Sequence, residues 1–141
     1  MPGLVHIVDD DASFLTAIER RLKHAGYDVA TYGSALQLLV NLPAESVPNC
    51  ILLDVGIPGL DGPGLQKRLN ELGSTLPIIS VTGNPDTPTA VQAIQAGADN
   101  FLTKPVTSDD LFRAIGQALA HHRTLRDLKT YWTAYAPELA D

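Results

Sequence analysis

The sequence is poor in cysteine and in aromatic residues. Its one cysteine, Cys50, lies in the apolar segment CILL, so no disulfide framework can form, and a buried, unreactive thiol is expected there. Aromatic residues make up only 6% of the 141 residues, but hydrophobic residues make up 45%. That share is enough for the core of one folded domain, whereas two domains would be crowded into this length.

Basic residues and long apolar runs are also scarce. The 10 lysines and arginines are outnumbered by 16 aspartates and glutamates, and the formal net charge is −6. The densest basic group, at 20–24, belongs to an amphipathic helix pattern and is interpreted as its solvent-facing side. Because nucleic-acid surfaces need clustered positive charge, we expect this chain itself to bind no nucleic acid.

No apolar run in the sequence has the length that a membrane span needs. The first apolar stretch is too short for a secretion signal, and acidic residues follow it at once. We therefore expect no membrane contact and a cytoplasmic location.

Five short apolar segments alternate with amphipathic ones. The predicted strands are Leu4 to Val8, Asp28 to Tyr32, Cys50 to Leu53, Ile78 to Val81 and Asn100 to Leu102. Helices are predicted to begin near Ser13, Ser34, Pro63, Thr87 and Ser108, and the first four end at Gly26, Leu42, Leu72 and Gly97. Repeated strand–helix units favour right-handed crossovers, so the expected class is α/β, a doubly wound parallel sheet covered on both faces.

The last helix is predicted to be long. Side chains that could share one face recur at spacings of three and four, at Leu111, Ile115, Leu119, His122, Leu125, Leu128, Trp132 and Tyr135. We expect this helix to continue to about Tyr131, which divides the chain into a domain at 1–120 and a helical extension or linker at 121–141. An inter-domain or dimer helix and a simply longer last helix remain alternatives. The adjacent His121 and His122 would point to different sides, which disfavours a metal site there.

Chemically active side chains stand at the ends of the predicted strands. The first strand ends at Asp9 and Asp10, the third at Asp54 and the fourth at Thr82, and Lys104 follows the fifth. In doubly wound sheets, ligands bind at the carboxyl ends of the strands, near the point where the strand order reverses. If the order is 2-1-3-4-5, these five residues share one pocket.

Several carboxylates in one pocket need positive charge, because like charges within a few ångströms resist joint ionisation. Mg²⁺ prefers oxygen ligands and would offset the repulsion between Asp9, Asp10 and Asp54, while Lys104 supplies one further positive charge. Asp11 is expected outside the pocket, as a cap or solvent-facing residue at the start of the first helix. A metal-bound carboxylate beside a lysine and a threonine can accept a phosphoryl group as an aspartyl phosphate.

Four motifs resemble the response-regulator receiver domain of two-component signalling. They are IVDD at 7–10, LLDVGIPGLDG at 52–62, ISVTG at 79–83 and AGADNFLTKP at 96–105, in an order and spacing that fit from about Leu4 to Leu119. The amino-acid sequence of residues 82–106 is similar to that of the receivers of FixJ-type transcription regulators. The resemblance implies a flavodoxin-like sheet of five strands in the order 2-1-3-4-5.

The resemblance also implies roles in a phosphorylation reaction. Asp54 would be the phosphoacceptor, Lys104 its charge partner and Thr82 the switch hydroxyl that contacts the phosphoryl group. Phe101 would be the aromatic switch, although it lacks the tyrosine hydroxyl of many relatives, and without the resemblance it would be interpreted as a core aromatic of an edge strand. The Lys104–Pro105 bond would be cis.

A magnesium site is implied by the same resemblance. Asp10 would be a direct ligand, Asp9 would act through water, and Asp54 and the backbone carbonyl of Gly56 would complete the set. Gly56 offers no side chain where many relatives carry one, so the lifetime of the phosphorylated state does not transfer from the family.

The function implied is that of a signalling switch. A sensor histidine kinase would phosphorylate the domain, which would then change conformation to control an output or form a homodimer. It would be a phosphoacceptor that assists its own phosphorylation and dephosphorylation, and not an enzyme in the usual sense. The chain would be either a natural single-domain receiver or the receiver part of a longer DNA-binding transcription regulator cut near Asp141.

Two other function classes compete with the switch. A pseudo-receiver would act as an interaction module without phosphorylation, but the complete set of acids, threonine and lysine argues against it. An FMN-binding electron carrier shares the fold, and fold alone does not assign function. The serine- and threonine-rich phosphate loop of such carriers is absent after the first strand, where acids would repel a phosphate.

Overall fold

A five-stranded parallel sheet forms the centre of the molecule in a computed structural model that describes residues 3–42, 47–54, 62–74, 76–83 and 100–135. The strands are β1 Leu4–Val8, β2 Asp28–Tyr32, β3 Asn49–Asp54, β4 Ile78–Thr82 and β5 Asn100–Thr103. They lie in the order β2-β1-β3-β4-β5, and all neighbouring strands are parallel. The predicted doubly wound α/β class and strand order are confirmed.

Four helices belong to the described part of the chain. They are α1 Ala12–His24, α2 Ala35–Val40, α3 Gly62–Glu71 and α4 Ser108–Tyr135. Helix α2 ends before the predicted Leu42, and α4 continues past the predicted Tyr131. The predicted helix between Thr87 and Gly97 lies outside the described residues. Among the helices described, none combines the length and the apolar character that a membrane span requires.

The start of each of the first two helices is fixed by a side-chain cap. Asp11 accepts hydrogen bonds from the backbone N–H groups of Ser13 and Phe14, and Ser34 accepts one from Gln37. These bonds satisfy donors that have no partner inside the helix. The cap formed by Ser34 agrees with the predicted start of that helix, and Asp11, expected as a cap or a solvent-facing residue, is a cap.

The core lies on both faces of the sheet because successive strand residues point to opposite sides. Val5 and Ile7 pack in a cluster with side chains of α1 and α4, whereas Val8 packs in a second cluster with α2 and α3. Strand β3 is buried from Asn49 to Leu53, as expected for a central parallel strand. Burying each large aliphatic side chain contributes roughly 1.5–3 kcal/mol.

A buried polar network joins three strands and α4. Asn49 Nδ2 donates to the Val47 carbonyl, so Asn49 Oδ1 is the acceptor for His6 Nε2 at 2.8 Å. His6 Nδ1 then accepts from the Tyr32 hydroxyl at 3.1 Å, and His122 Nδ1 accepts from the Asn49 backbone N–H at 2.7 Å. The hydrogen bonds therefore assign the proton of the neutral His6 ring to Nε2 and leave Nδ1 of His122 without one.

The C-terminal part of α4 contacts the body of the domain beyond residue 120. His122 is fully buried, whereas His121 is exposed, so the two histidines point to different sides as predicted. Farther along, Lys129 Nζ donates to the Gly73 carbonyl at 3.3 Å. The division into 1–120 and 121–141 stays a prediction.

The buried His6 ring predicts a loss of stability in mild acid. Burial lowers the pKa of His6, and the hydrogen bond to Asn49 opposes this only in part. The unfolded chain therefore takes up a proton near the ordinary value of about 6.5 while the folded chain does not. Denaturant unfolding should show the free energy of unfolding falling as the pH drops through and below about 6.5.

The matched variants are His6→Gln and His24→Gln, since His24 is exposed at the end of α1. His6→Gln should flatten the pH dependence of the unfolding free energy more than His24→Gln does. Equal slopes in the wild type and His6→Gln would contradict this account.

Candidate functional site

Asp9 and Asp54 meet because of the parallel register between β1 and β3. Val8 pairs with Leu53, so the residues that follow them stand side by side at the carboxyl edge of the sheet. Asp9 is completely buried, whereas Asp54 keeps 12% of its side chain exposed. The buried position of Asp9 requires partners for its charge, because an ionised carboxylate without them is very costly to bury.

Both oxygens of Asp9 have partners. Oδ1 accepts the backbone N–H of Asp11 at 2.9 Å, and Oδ2 accepts from Lys104 Nζ at 2.9 Å. The same ammonium donates to Asp54 Oδ2 at 3.3 Å. Lys104 thus connects the ends of two neighbouring strands through charge-assisted hydrogen bonds.

The ionisation of this group reflects both burial and pairing. Burial and the nearby charge of Asp54 raise the pKa of Asp9 more than its interactions with Asp11 and Lys104 lower it. Burial alone would lower the pKa of Lys104, but its hydrogen bond to Asp9 and the nearby charges of Asp54 and Asp9 outweigh that effect and raise it. Lys104 is therefore held as a cation, and the carboxylates favour additional positive charge.

Three carboxylates, those of Asp9, Asp10 and Asp54, lie together in the site, and the ammonium of Lys104 is the cation paired with two of them. One oxygen each from Asp9, Asp10 and Asp54 lies within 4.8 Å of the others, and Asp10 is exposed to solvent. Clustered carboxylate oxygens with an open side fit Mg²⁺, which takes oxygen ligands and retains several waters. The predicted carbonyl ligand Gly56 lies outside the described residues.

Thr82 and Phe101 occupy different places relative to this cluster. Val81 pairs with Asp54, so the buried Thr82 is one residue farther along the adjacent strand, at the same edge of the sheet. Phe101 lies on the edge strand β5, half-buried and paired with Ser80. The backbone joins these strands beyond their ends, because the Lys104 N–H donates to the Thr82 carbonyl at 2.7 Å, and the Lys104–Pro105 bond is cis as predicted.

The three consecutive aspartates have three different environments. Asp9 is buried and paired with Lys104, Asp10 is exposed within the carboxylate cluster, and Asp11 caps α1. The prediction that Asp11 lies outside the pocket as a cap is confirmed.

Two contacts between α1 and the segment after β5 were missed by the sequence analysis. Lys104 Nζ lies 4.2 Å from the centroid of the Phe14 ring, and Arg21 Nη1 donates to the Val106 carbonyl at 2.7 Å. In the sequence, Phe14 is an apolar residue of an amphipathic helix like any other. Arg21 is exposed, as its basic group was predicted to be, but its guanidinium also binds another segment. The spacing of seven between Phe14 and Arg21 is the one available signal, since it puts both on the same side of the helix.

Comparison with known proteins identifies the family. The model of the response regulator receiver domain matches residues 5–116. This chain is a receiver domain. Receiver domains belong to two-component systems, in which sensor histidine kinases phosphorylate them, and they bind Mg²⁺ at an acidic pocket. The cluster of Asp9, Asp10 and Asp54 is an acidic pocket whose oxygen atoms are compatible with Mg²⁺.

Its relatives are response regulators with longer chains. The response regulator protein TmoT of Ectopseudomonas mendocina is 40% identical over 117 residues, which are 83% of this chain and 53% of TmoT. The C4-dicarboxylate transport transcriptional regulatory protein DctD of Pseudomonas aeruginosa is 37% identical over 132 residues, which are 94% of this chain and 28% of DctD. This receiver domain therefore spans about half of TmoT and a smaller share of DctD.

The solved structure of full-length FixJ from B. japonicum is similar to this receiver domain. Its TM-score is 0.79 at 34% sequence identity, and the match covers 98% of this chain and 68% of FixJ. The predicted likeness to FixJ-type receivers is confirmed.

The separate environments of Asp10 and Asp11 predict different effects on Mg²⁺ binding. Asp10→Asn removes a charged oxygen from the cluster, so calorimetric titration should show the affinity falling by at least about tenfold, the lower bound typical for disturbing even an indirect partner of a metal. Asp11→Asn is the matched control because asparagine caps helices as well as aspartate does. Equal weakening in both variants would refute the assignment of Asp10.

Proposed function

We propose that Asp54 accepts a phosphoryl group from a sensor histidine kinase in the presence of Mg²⁺. The observation that carries the proposal is the position of Lys104 Nζ, 3.3 Å from Asp54 Oδ2. A cation fixed beside the nucleophile can stabilise the charge on the oxygens of the incoming group. Asp9, Asp10 and Asp54 would hold the metal with the carbonyl of Gly56.

Partial exposure together with the contact to Lys104 favours Asp54 over Asp9 and Asp10 as the nucleophile. Asp9 is fully buried, and each of its oxygens already accepts a hydrogen bond. Asp10 is exposed and belongs to the α1 side of the cluster. Asp54 alone of the three combines partial exposure with a direct contact to the ammonium of Lys104.

The reaction transfers the phosphoryl group from a phosphohistidine nitrogen to a carboxylate oxygen of Asp54. The bond between phosphorus and nitrogen breaks as the bond between phosphorus and oxygen forms, and the imidazole leaves with the electron pair. Lys104 keeps its proton throughout, consistent with its raised pKa, and pairs with a phosphoryl oxygen. Mg²⁺, when bound, neutralises further charge on these oxygens.

Phosphorylation would then act on β4 and β5. The Thr82 hydroxyl would donate to a phosphoryl oxygen, and Phe101 would move toward the space that Thr82 leaves. The backbone bond from Lys104 to Thr82 connects the two strands at this point. The phosphoryl contacts supply the differential affinity that any change between two conformations requires. The changed surface would favour homodimerisation or the docking of a partner.

In this proposal the domain is a stoichiometric phosphoacceptor that promotes its own phosphorylation and dephosphorylation, not an enzyme with a separate substrate. We also propose that it is the receiver part of a longer transcription regulator in the cytoplasm. The length of its relatives supports this, as does the role of DctD as a transcriptional regulatory protein. DNA binding would then belong to the rest of that regulator.

The phosphoacceptor assignment predicts the result of a mass measurement. After incubation with acetyl phosphate and Mg²⁺, the intact wild-type protein should carry one phosphoryl adduct, and Asp54→Asn should carry none. Lys104→Ala should react far more slowly because the cation beside the nucleophile is lost.

Asp28→Asn is the control, since Asp28 is an exposed aspartate at the opposite end of its strand from the site. It should react like the wild type, and a chelator should abolish the reaction in both. The proposal would be contradicted if Asp54→Asn gained the adduct like the wild type, or if the adduct formed equally well in chelator. Either result would favour a pseudo-receiver.

A further inference from the structure

Helix α1 binds the segment that carries Lys104 at two points. Phe14 lies against the ammonium of Lys104, and Arg21 donates to the carbonyl of Val106. Residues seven apart lie on the same side of a helix, two turns from each other. One face of α1 therefore contacts both Lys104 and Val106, the two ends of the segment 104–106. The contact with Lys104 places the Phe14 ring beside the site.

The contact between Phe14 and Lys104 has the geometry of a cation–π interaction. The distance of 4.2 Å from Nζ to the ring centroid is well inside the range of about 6 Å in which the ring attracts a cation. An ammonium has three donors, and two of them point to Asp9 and Asp54. The Phe14 ring is a third neighbour of this ammonium, and only 23% of the Lys104 side chain is exposed.

The backbone at Phe14 is linked to Asp9 through Asp11. Asp9 Oδ1 accepts from the backbone N–H of Asp11, and Asp11 Oδ1 accepts from the backbone N–H of Phe14 at 3.3 Å. The ring is half-buried and packs against the core cluster shared by α1 and α4. A closed circuit of contacts thus runs from Asp9 through Asp11 and Phe14 to Lys104 and back to Asp9.

We propose that Phe14 is a positioning residue that holds the ammonium of Lys104 beside Asp54 and thereby sets the rate at which Asp54 is phosphorylated. This inference rests on the proposed function. The two carboxylates accept hydrogen bonds from the ammonium, which has three donors. The ring supplies that third contact without adding a charge or competing for a phosphoryl oxygen.

The test replaces Phe14 with 4-fluoro-, 3,5-difluoro- and 3,4,5-trifluorophenylalanine. Each fluorine weakens the attraction of the ring for a cation and changes its shape little. Phosphorylation by acetyl phosphate and Mg²⁺ should slow stepwise along the series, by about two- to five-fold in total, which corresponds to about 0.5–1 kcal/mol of cation–π attraction. Phe14→Leu should react as slowly as the trifluoro protein, and Phe14→Trp should recover the wild-type rate.

The same fluorine series at Phe112 is the matched control. Phe112 is also a half-buried aromatic of the same core cluster, but it stacks on Tyr27 with ring centroids 6.5 Å apart. Its series should leave the rate unchanged. A second measurement needs no phosphorylation: the Lys104 side-chain protons next to Nζ should show an upfield ring-current shift in the NMR spectrum that Phe14→Leu removes.

The outcomes separate this proposal from the proposed function. If the wild type forms no adduct on Asp54, the proposed function fails. If the wild type reacts and the rate is the same throughout the Phe14 series, Phe14 is only a core residue and the inference is overturned. Equal slowing in the Phe112 series, or Lys104 protons without a ring-current shift, would overturn it as well.

Discussion

The bridge from the ammonium of Lys104 to the carboxylates of Asp9 and Asp54 is the interaction on which the rest of the site depends. Parallel register places the two carboxylates side by side, and their mutual repulsion would be severe without a cation between them. Asp9 is buried completely, and removing one partner of a buried ion pair typically costs about 3–5 kcal/mol. The fold can bury Asp9 because Lys104, which follows the edge strand β5, extends across the ends of β4 and β3 to reach it.

The same bridge gives the site its capacity to respond to charge. One ammonium faces three carboxylates, so the pocket favours a divalent cation, and it favours a phosphoryl group only when such a cation is present. In the proposed function, a phosphoryl group on Asp54 would compete with Asp9 for Lys104, and this competition would link the chemistry to the conformation. Lys104 directly follows β5, and its backbone N–H donates to the carbonyl of Thr82 at the end of β4. A movement of the Lys104 side chain would therefore begin next to both strands.

The sequence was enough to predict which residues converge, but not how they touch. Asp9 and Lys104 follow strands and Asp54 ends one, and a parallel sheet in the order 2-1-3-4-5 brings such positions to one edge. The cap formed by Asp11 follows from local backbone geometry alone. By contrast, Phe14 has the same helical periodicity as any core residue, and His122 was counted in an apolar stripe although it accepts a hydrogen bond from Asn49. Both contacts depend on how a helix is rotated and shifted against the sheet, which periodicity does not specify.

The mobility of the Lys104 ammonium tests the central claim most directly. Nitrogen-15 relaxation of the lysine side chains should give Lys104 Nζ a high order parameter, while Lys67 Nζ, on an exposed side chain of α3, should move freely. Replacing Asp9 with asparagine should loosen Lys104 and leave Lys67 unchanged. A Lys104 ammonium as mobile as that of Lys67 in the wild-type protein would contradict the account.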